Sequence, residues 1–275
     1  MLDVNIVIVN YKMKADIERC LASLLPDFAD DNLSVNVTVV DNLSGDEIDK
    51  FLEAKYPSVK CILNNQNLGF GGATNIGIKS APAKYYFILN PDTYFFPNQH
   101  TVKKLYDFLE AHPKIGLVGP KILYPDSSIQ YSCYRFPTFW QPLFSRTNLG
   151  QKGSGKIVND HAMMKDFSHE RTELVDWIMG SAMFARGVAL DEVNLFDDRF
   201  FMYYEDSDLC RRFWEAGWPV YYVHDIVITH VHGRLSAKIP GIFKALLKNK
   251  MARVHVISWL KYMWKWRGNY KYYAD

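Results

Sequence analysis

A chain of 275 residues, 48% hydrophobic and 15% aromatic, can bury a full core as one large α/β domain or two small ones. Its formal charge of +2 gives no reason to expect a nucleic-acid partner. Cys20, Cys61, Cys133 and Cys210 lack the close spacing of a zinc or redox motif, residues 1–9 lack the basic start of a signal peptide, and no run approaches the ~18 apolar residues of a membrane span, so a cytoplasmic protein with reduced thiols is expected.

Residues 4–9 form a near-continuous β-branched run, the pattern of a strand covered on both faces. The run stops at Asn10-Tyr11, before a helix expected over about 15–25. A second such run, 35–40, ends at Asp41-Asn42, and Ser44-Gly45-Asp46-Glu47 is expected to open a helix with acids in its first turn. Residues 59–63 read as a third strand and 85–89 as a fourth. Strands alternating with helices predict an α/β fold with a mainly parallel sheet flanked by crossover helices. Ligands in such sheets sit beyond the carboxyl ends of the strands, where Asn10, Asp41, Asn67 and Asp92 fall.

The stretch 67–77 brings a glycine-rich turn to a helix N-terminus, where backbone amides can face a phosphate; tight turning and close packing are the alternative reading. It is not a dinucleotide fingerprint, because Thr74 replaces the third glycine. At the end of the fourth strand, Pro91 cannot donate to a ladder and pushes Asn90 into an extended conformation, so Asp92 projects from a stiff turn. A carboxylate so placed either holds a divalent cation or belongs to a turn that caps the next helix.

A helix is expected from Pro97 to about His112, then short strands over 115–119 and 121–124 with a hairpin turn at 125–128. Residues 134–172 read as an irregular, mobile segment lining an entrance. Residues 176–184 are apolar around Gly180-Ser181, a step that admits a sugar ring to the backbone or packs as a core strand; Trp177 serves either role. Glu205, Asp206 and Asp208 follow an aromatic wall at the start of a helix expected over 207–216. Asp208, beside Arg211 and Arg212, suits a structural role there, whereas Asp206 points to a charged site. His230 and His232 share one face at a strand end, as metal ligands or as structural histidines.

With Val9-Asn10-Tyr11, Asp41-Asn42, Asn67-Leu68-Gly69-Phe70-Gly71, Asn90-Pro91-Asp92, Glu205-Asp206 and His230 in this order, the chain resembles glycosyltransferase family 2, in particular its bacterial rhamnosyltransferase-like members. The resemblance covers roughly residues 4–236. It implies a GT-A fold, a nucleotide-sugar donor (dTDP- or UDP-linked), Mg²⁺ or Mn²⁺, and inverting transfer to a glycan or lipid-linked acceptor in bacterial surface glycan synthesis such as O-antigen, capsule or cell wall. By this resemblance Asn10 and Asp41 look like the positions that contact base and ribose, and Tyr11, Asn67, Gly69, Asn75, Asn90 and Asp92 are expected to bind the nucleotide-sugar with them. Asp92 and His230, or His232 in its place, meet the metal, Asp206 is the catalytic base, and Trp177, Gly180 and Glu205 line the acceptor pocket. Asn90 stands where many relatives carry a first aspartate, which leaves one carboxylate for the metal.

Two other classes compete. A sugar nucleotidyltransferase would carry a basic glycine-rich loop after its first strand, which Asn10-Tyr11-Lys12-Met13 is not, and a non-catalytic nucleotide- or glycan-binding module would not need Glu205-Asp206 or His230. The expected organisation is a catalytic domain over 1–236, with a nucleotide-sugar half (1–120) and an acceptor half (121–236), followed by a basic amphipathic helical extension over 237–275. Residues 238–273 carry nine Lys or Arg and no Asp or Glu, a pattern suited to an anionic membrane surface or to helices packed on the sheet.

Overall fold

The computed structural model describes residues 1–139, 153–231 and 249–274. Its centre is a ten-stranded sheet. β1 (Leu2–Asn10), β2 (Val35–Asp41), β3 (Lys60–Leu63) and β4 (Ala83–Leu89) run parallel in the order β3-β2-β1-β4. β11 (Ala182–Arg186) then inserts antiparallel between β4 and β6 (Leu117–Leu123). Beyond β6 lie β12 (Val220–His230), parallel to it, and the short β5 (Thr93–Tyr94), antiparallel to β12. β7 (Ile129–Gln130) and β9 (Glu173–Leu174) pair with β6 and β12, while β8 (Cys133–Tyr134) and β10 (Trp177–Ile178) form a separate ribbon.

The period-2 geometry of a strand explains the apolar runs. Val4, Ile6 and Ile8 face one core with Val37, Val39, Phe87 and Leu89; it is covered by α1 (Lys14–Phe28), α2 (Ile48–Lys55) and α4 (Thr101–Ala111). Val7 and Val9 face the other with Val40, Ile88 and Met183, under α3 (Gly69–Lys79), α6 (Gly187–Glu192) and α7 (Glu205–Glu215). Both faces are covered by helices, so no polar alternation is needed.

Four expectations are revised. The strands expected on either side of Pro120 are one strand, β6, because β12 shifts register between Val223 and Val227 just where Pro120 has no N–H to give. The segment 134–172 contains α5 (Gly153–Ala162), supported by a Lys156–Asp160 ion pair one turn apart. The helix expected to open at 44–47 begins only at Ile48, since Glu47 is left-handed (φ +54°). The acid-bearing helix starts at Glu205, so Glu205, Asp206 and Asp208 all lie in its first turn, where the helix dipole favours negative charge.

α8 (Lys250–Lys265) packs on the rest of the protein through Ala252, Ser258, Tyr262 and Met263. Beyond it the chain is strapped down: buried Asp176 accepts the N–H groups of Phe136, Tyr273 and Ala274 at 2.8, 2.8 and 3.0 Å. Among the described residues no helix is long and apolar enough to cross a membrane.

Candidate active site

β2 and β3 lie on one side of β1 and β4 on the other, so the strand order reverses between β1 and β4 and opens a crevice at their carboxyl ends. Asn10 ends β1 opposite Asp41. Its buried side chain donates to Asp41 Oδ1 at 2.8 Å and reaches the Asp46 carboxylate at 3.2 and 3.3 Å, while its own Oδ1 accepts from Met13 N at 3.0 Å. Asn10 is thus the spacer that holds two acids together. Asp46 reaches it because Glu47 delays the helix. Sequence reasoning missed Asp46; its signal was an acid five residues past Asp41 beside a glycine. Tyr11, 48% exposed, leaves its ring at the rim.

The glycine-rich turn is less available than expected. Leu68 N donates to Asn42 Oδ1 at 2.9 Å, Gly69 N to Asn67 Oδ1 at 2.9 Å, and Phe70 N to Phe201 O at 3.0 Å. These amides are committed to protein acceptors, so close packing is their role, not a phosphate cradle. Gly69 is required for a different reason: φ is +76°, and a Cβ would lie 1.9 Å from Phe201 O. Asn75 is likewise occupied, bracketing the backbone of Phe196 through Nδ2 to O at 2.8 Å and N to Oδ1 at 3.0 Å. Asn42, absent from the expected site, is the node of this loop, since its amide also donates to Asn67 Oδ1 and Gly69 O at 3.0 Å each.

Asp92 follows β4 and sits in register with β12: Val231 N donates to Asp92 O at 3.0 Å, and Thr93 pairs with His230. This places His230 Nε2 3.1 Å from Asp92 Oδ1, with Asn90 Nδ2 at 3.4 Å. The other ring nitrogen, Nδ1, donates to Gln130 Oε1 at 2.6 Å. The ring thus presents Nε2 to the carboxylate, and a histidine oriented by a second hydrogen bond in this way is a suitable metal ligand. Gln130 gave no signal in the sequence. His232 lies outside the described residues, and among those described no cluster of three His, Cys, Asp or Glu ligands occurs.

Asn90 N donates to Ser181 O at 2.9 Å, and the Gly180-Ser181 step carries the crevice across to α7. Gly180 N donates to Asp206 Oδ2 at 3.0 Å and Ser207 N to Oδ1 at 2.8 Å. Burial outweighs both bonds and raises the Asp206 carboxyl to about 6. Burial, then the charge of Asp206, pushes Glu205 well above the usual carboxylate range. Glu205 is buried, and its Oε2 has no hydrogen-bond partner among the described residues. Tyr203 and Tyr204 precede these acids with φ of +69° and +70°, a strained pair of left-handed residues gripped by His255 and Tyr262 of α8. Asp208 is fully buried and ion-paired with Arg212 and Lys265 at 2.9 and 2.7 Å, a structural role as expected from its neighbours. Trp177 stacks on Tyr134 at 4.4 Å and donates from Nε1 to Arg135 O at 2.9 Å, which commits it to the β8–β10 ribbon.

A mostly parallel sheet between helical layers, with acids at the β1–β4 switch point and an acid-bearing helix beside them, is the architecture of the GT-A glycosyltransferases. The fold is similar to that of GalNAc-T7, solved with UDP, GalNAc and Mn²⁺, at a TM-score of 0.61 and 14% identity over 98% of this chain and 49% of that one. The family model for glycosyl transferase family 2 matches residues 5–171, and the chain belongs to that family. It is 29% identical to the N-acetylglucosaminyl-diphospho-decaprenol L-rhamnosyltransferase of Mycobacterium tuberculosis over 251 residues, 86% of this chain and 78% of the relative. It is 31% identical to the rhamnosyltransferase WbbL of Escherichia coli over 176 residues, 60% of this chain and 63% of that relative.

Proposed function

We propose that the protein transfers L-rhamnose from dTDP-rhamnose to a hydroxyl of a lipid-linked glycan acceptor, with inversion at the anomeric carbon. The observation that carries the chemistry is Asp206, fixed by two backbone N–H groups at the edge of the crevice with its carboxyl raised towards neutrality. The choice of sugar and of a lipid-linked acceptor rests on the relatives, one of which is named for a decaprenol-linked substrate.

In this reading Asn10, Asp41 and the Tyr11 ring receive the nucleoside at the carboxyl ends of β1 and β2, with Asn67 and Asn90 flanking it. Asp92 and His230 would hold Mg²⁺ or Mn²⁺. Two protein donors suit such an ion, which takes its remaining ligands from phosphate and water. The residues fit it for an electrostatic reason too: Asp41, Asp46, Asp92 and Asp206 share this edge, and a diphosphate needs positive charge there. When bound, the cation offsets the charge of the departing diphosphate. Asp206 takes the proton of the acceptor hydroxyl as that oxygen bonds to the anomeric carbon and the bond to the dTDP oxygen breaks. A single displacement inverts the centre, and a positioned base is worth about 10²–10⁴ in rate. Gly180 leaves room beside the base, since a Cβ there would meet Phe70 at 3.2 Å and Asp206 at 3.6 Å.

The test is a donor panel read by nucleotide release, with dTDP-rhamnose against UDP-sugars and a polyprenyl-diphosphate-linked acceptor. Preferential turnover of dTDP-rhamnose, lost in Asp206→Asn, is expected. Preference for a UDP-sugar would remove the rhamnosyl assignment and leave the catalytic site standing.

A further inference from the structure

α8 has two unlike faces. Its inner face grips the loop that leads to Asp206: Ser258 Oγ donates to Met202 O at 2.8 Å, Lys261 Nζ to Arg199 O at 2.6 Å, and Lys265 bridges Asp197 and Asp208 at 2.7 Å each. Just beyond the helix, Trp266 Nε1 donates to Asp208 Oδ1 at 2.9 Å. Its outer face presents Ile257, Leu260 and Trp264, spaced three and four residues apart and 51%, 52% and 66% exposed. The core is filled without them. Lys250, Arg253 and Arg267 are exposed around this stripe, and Arg267 stacks over the Trp264 ring at 4.5 Å, its charge carried to the rim of the apolar patch. From residue 249 to 274 there are six Lys or Arg and no Asp or Glu.

We propose that the outer face of α8 is a docking surface for an anionic lipid bilayer. An apolar stripe with a tryptophan, set in a ring of cations with no acid among them, matches the layered chemistry of hydrocarbon beneath anionic headgroups. A protein partner for so one-sided a charge would have to be strongly acidic and apolar at once. The helix is already folded and fixed by its inner face, so docking orders nothing new. The same helix clasps the strained Tyr203-Tyr204 turn, so the docked face and the base are carried on one rigid unit. That docking meets a lipid-linked acceptor rests on the function proposed above; the surface itself does not.

Flotation of the full-length protein with vesicles of phosphatidylglycerol and phosphatidylcholine, against phosphatidylcholine alone, tests this without donor or acceptor. Binding to the anionic vesicles at low salt and release at high salt are expected. The combined variant Ile257→Gln, Leu260→Gln, Trp264→Gln should lower partitioning at least ~30-fold, because three apolar side chains no longer enter the interface. Lys250→Gln, Arg253→Gln and Arg267→Gln should each lower it about 5-fold. Circular dichroism and thermal melting establish that the variants fold. Wild-type protein that ignores anionic vesicles, or an apolar-face variant that binds them as well as wild type, overturns the proposal. So does a variant that converts an oligomer to a monomer without changing flotation, since a second copy then covers the face.

Discussion

His230 Nε2 and Asp92 Oδ1 stand 3.1 Å apart across the end of the sheet, and Gln130 fixes the histidine from behind at 2.6 Å. The hydrogen bond to Nδ1 selects which nitrogen faces the carboxylate, so in the proposed metal site Gln130 would orient the His230 ligand without itself meeting the ion. Gln130→Leu is expected to weaken Mn²⁺-dependent binding of a nucleotide-sugar by about 10–100-fold in calorimetry. Gln130→Glu, which retains an acceptor, should recover most of it. Unchanged binding in the leucine variant would separate Gln130 from the metal.

Asp206 illustrates a site held against its own stability. Its folded pKa of about 6 lies above the ordinary value of 3.8, so the folded protein binds that proton more tightly than the unfolded chain. The stability this contributes is complete below the unfolded value and is lost as pH rises through about 6. The proposed role as base needs the opposite, ionised form, so turnover should fall as pH drops through the same range. Asp206→Asn should therefore cost at least ~100-fold in turnover and raise stability at pH 8 by on the order of 1–2 kcal/mol. A variant both active and no more stable would transfer the role to another group.

Gly69→Ala should damage catalysis from a distance. The new Cβ would lie 1.9 Å from Phe201 O at a φ of +76°, so the loop before Glu205-Asp206 must move. A loss of about 2 kcal/mol or more in chemical denaturation and a fall in turnover are expected together. Gly45→Ala is the control, because it shares the positive φ but a Cβ there meets nothing within 4 Å. Equal effects at both positions would attribute everything to backbone strain.

Asp176→Ala tests the C-terminal strap. Three backbone N–H groups lose their acceptor, two of them in the strap, and each buried orphan costs about 1–3 kcal/mol. Destabilisation of about 2–4 kcal/mol is expected, with faster amide exchange at Tyr273 and Ala274. Wild-type exchange at those two residues would show that the strap is held elsewhere.

The sequence by itself determined the α/β architecture, because residues 4–9, apart from Asn5, and residues 85–89 are apolar on both faces and only a sheet with helices on both sides buries them. It also marked Asn10, Asp41, Asp92, Asp206 and His230, since polar residues that interrupt apolar runs stand out. The antiparallel insertion of β11 and the continuity of β6 through Pro120 were decided by pairing partners distant in sequence. Tertiary structure alone settled which candidate side chains remain available. Asn75 spends its amide on Phe196, Trp177 is stacked on Tyr134, and the amides of residues 68–70 are bonded within the protein, whereas Asp46 and Gln130 are bonded to the candidate residues Asn10 and His230. A sequence records which groups can hydrogen-bond. Only the folded chain, which must satisfy nearly every buried donor and acceptor, decides which are used up in holding the site together and which are left to act.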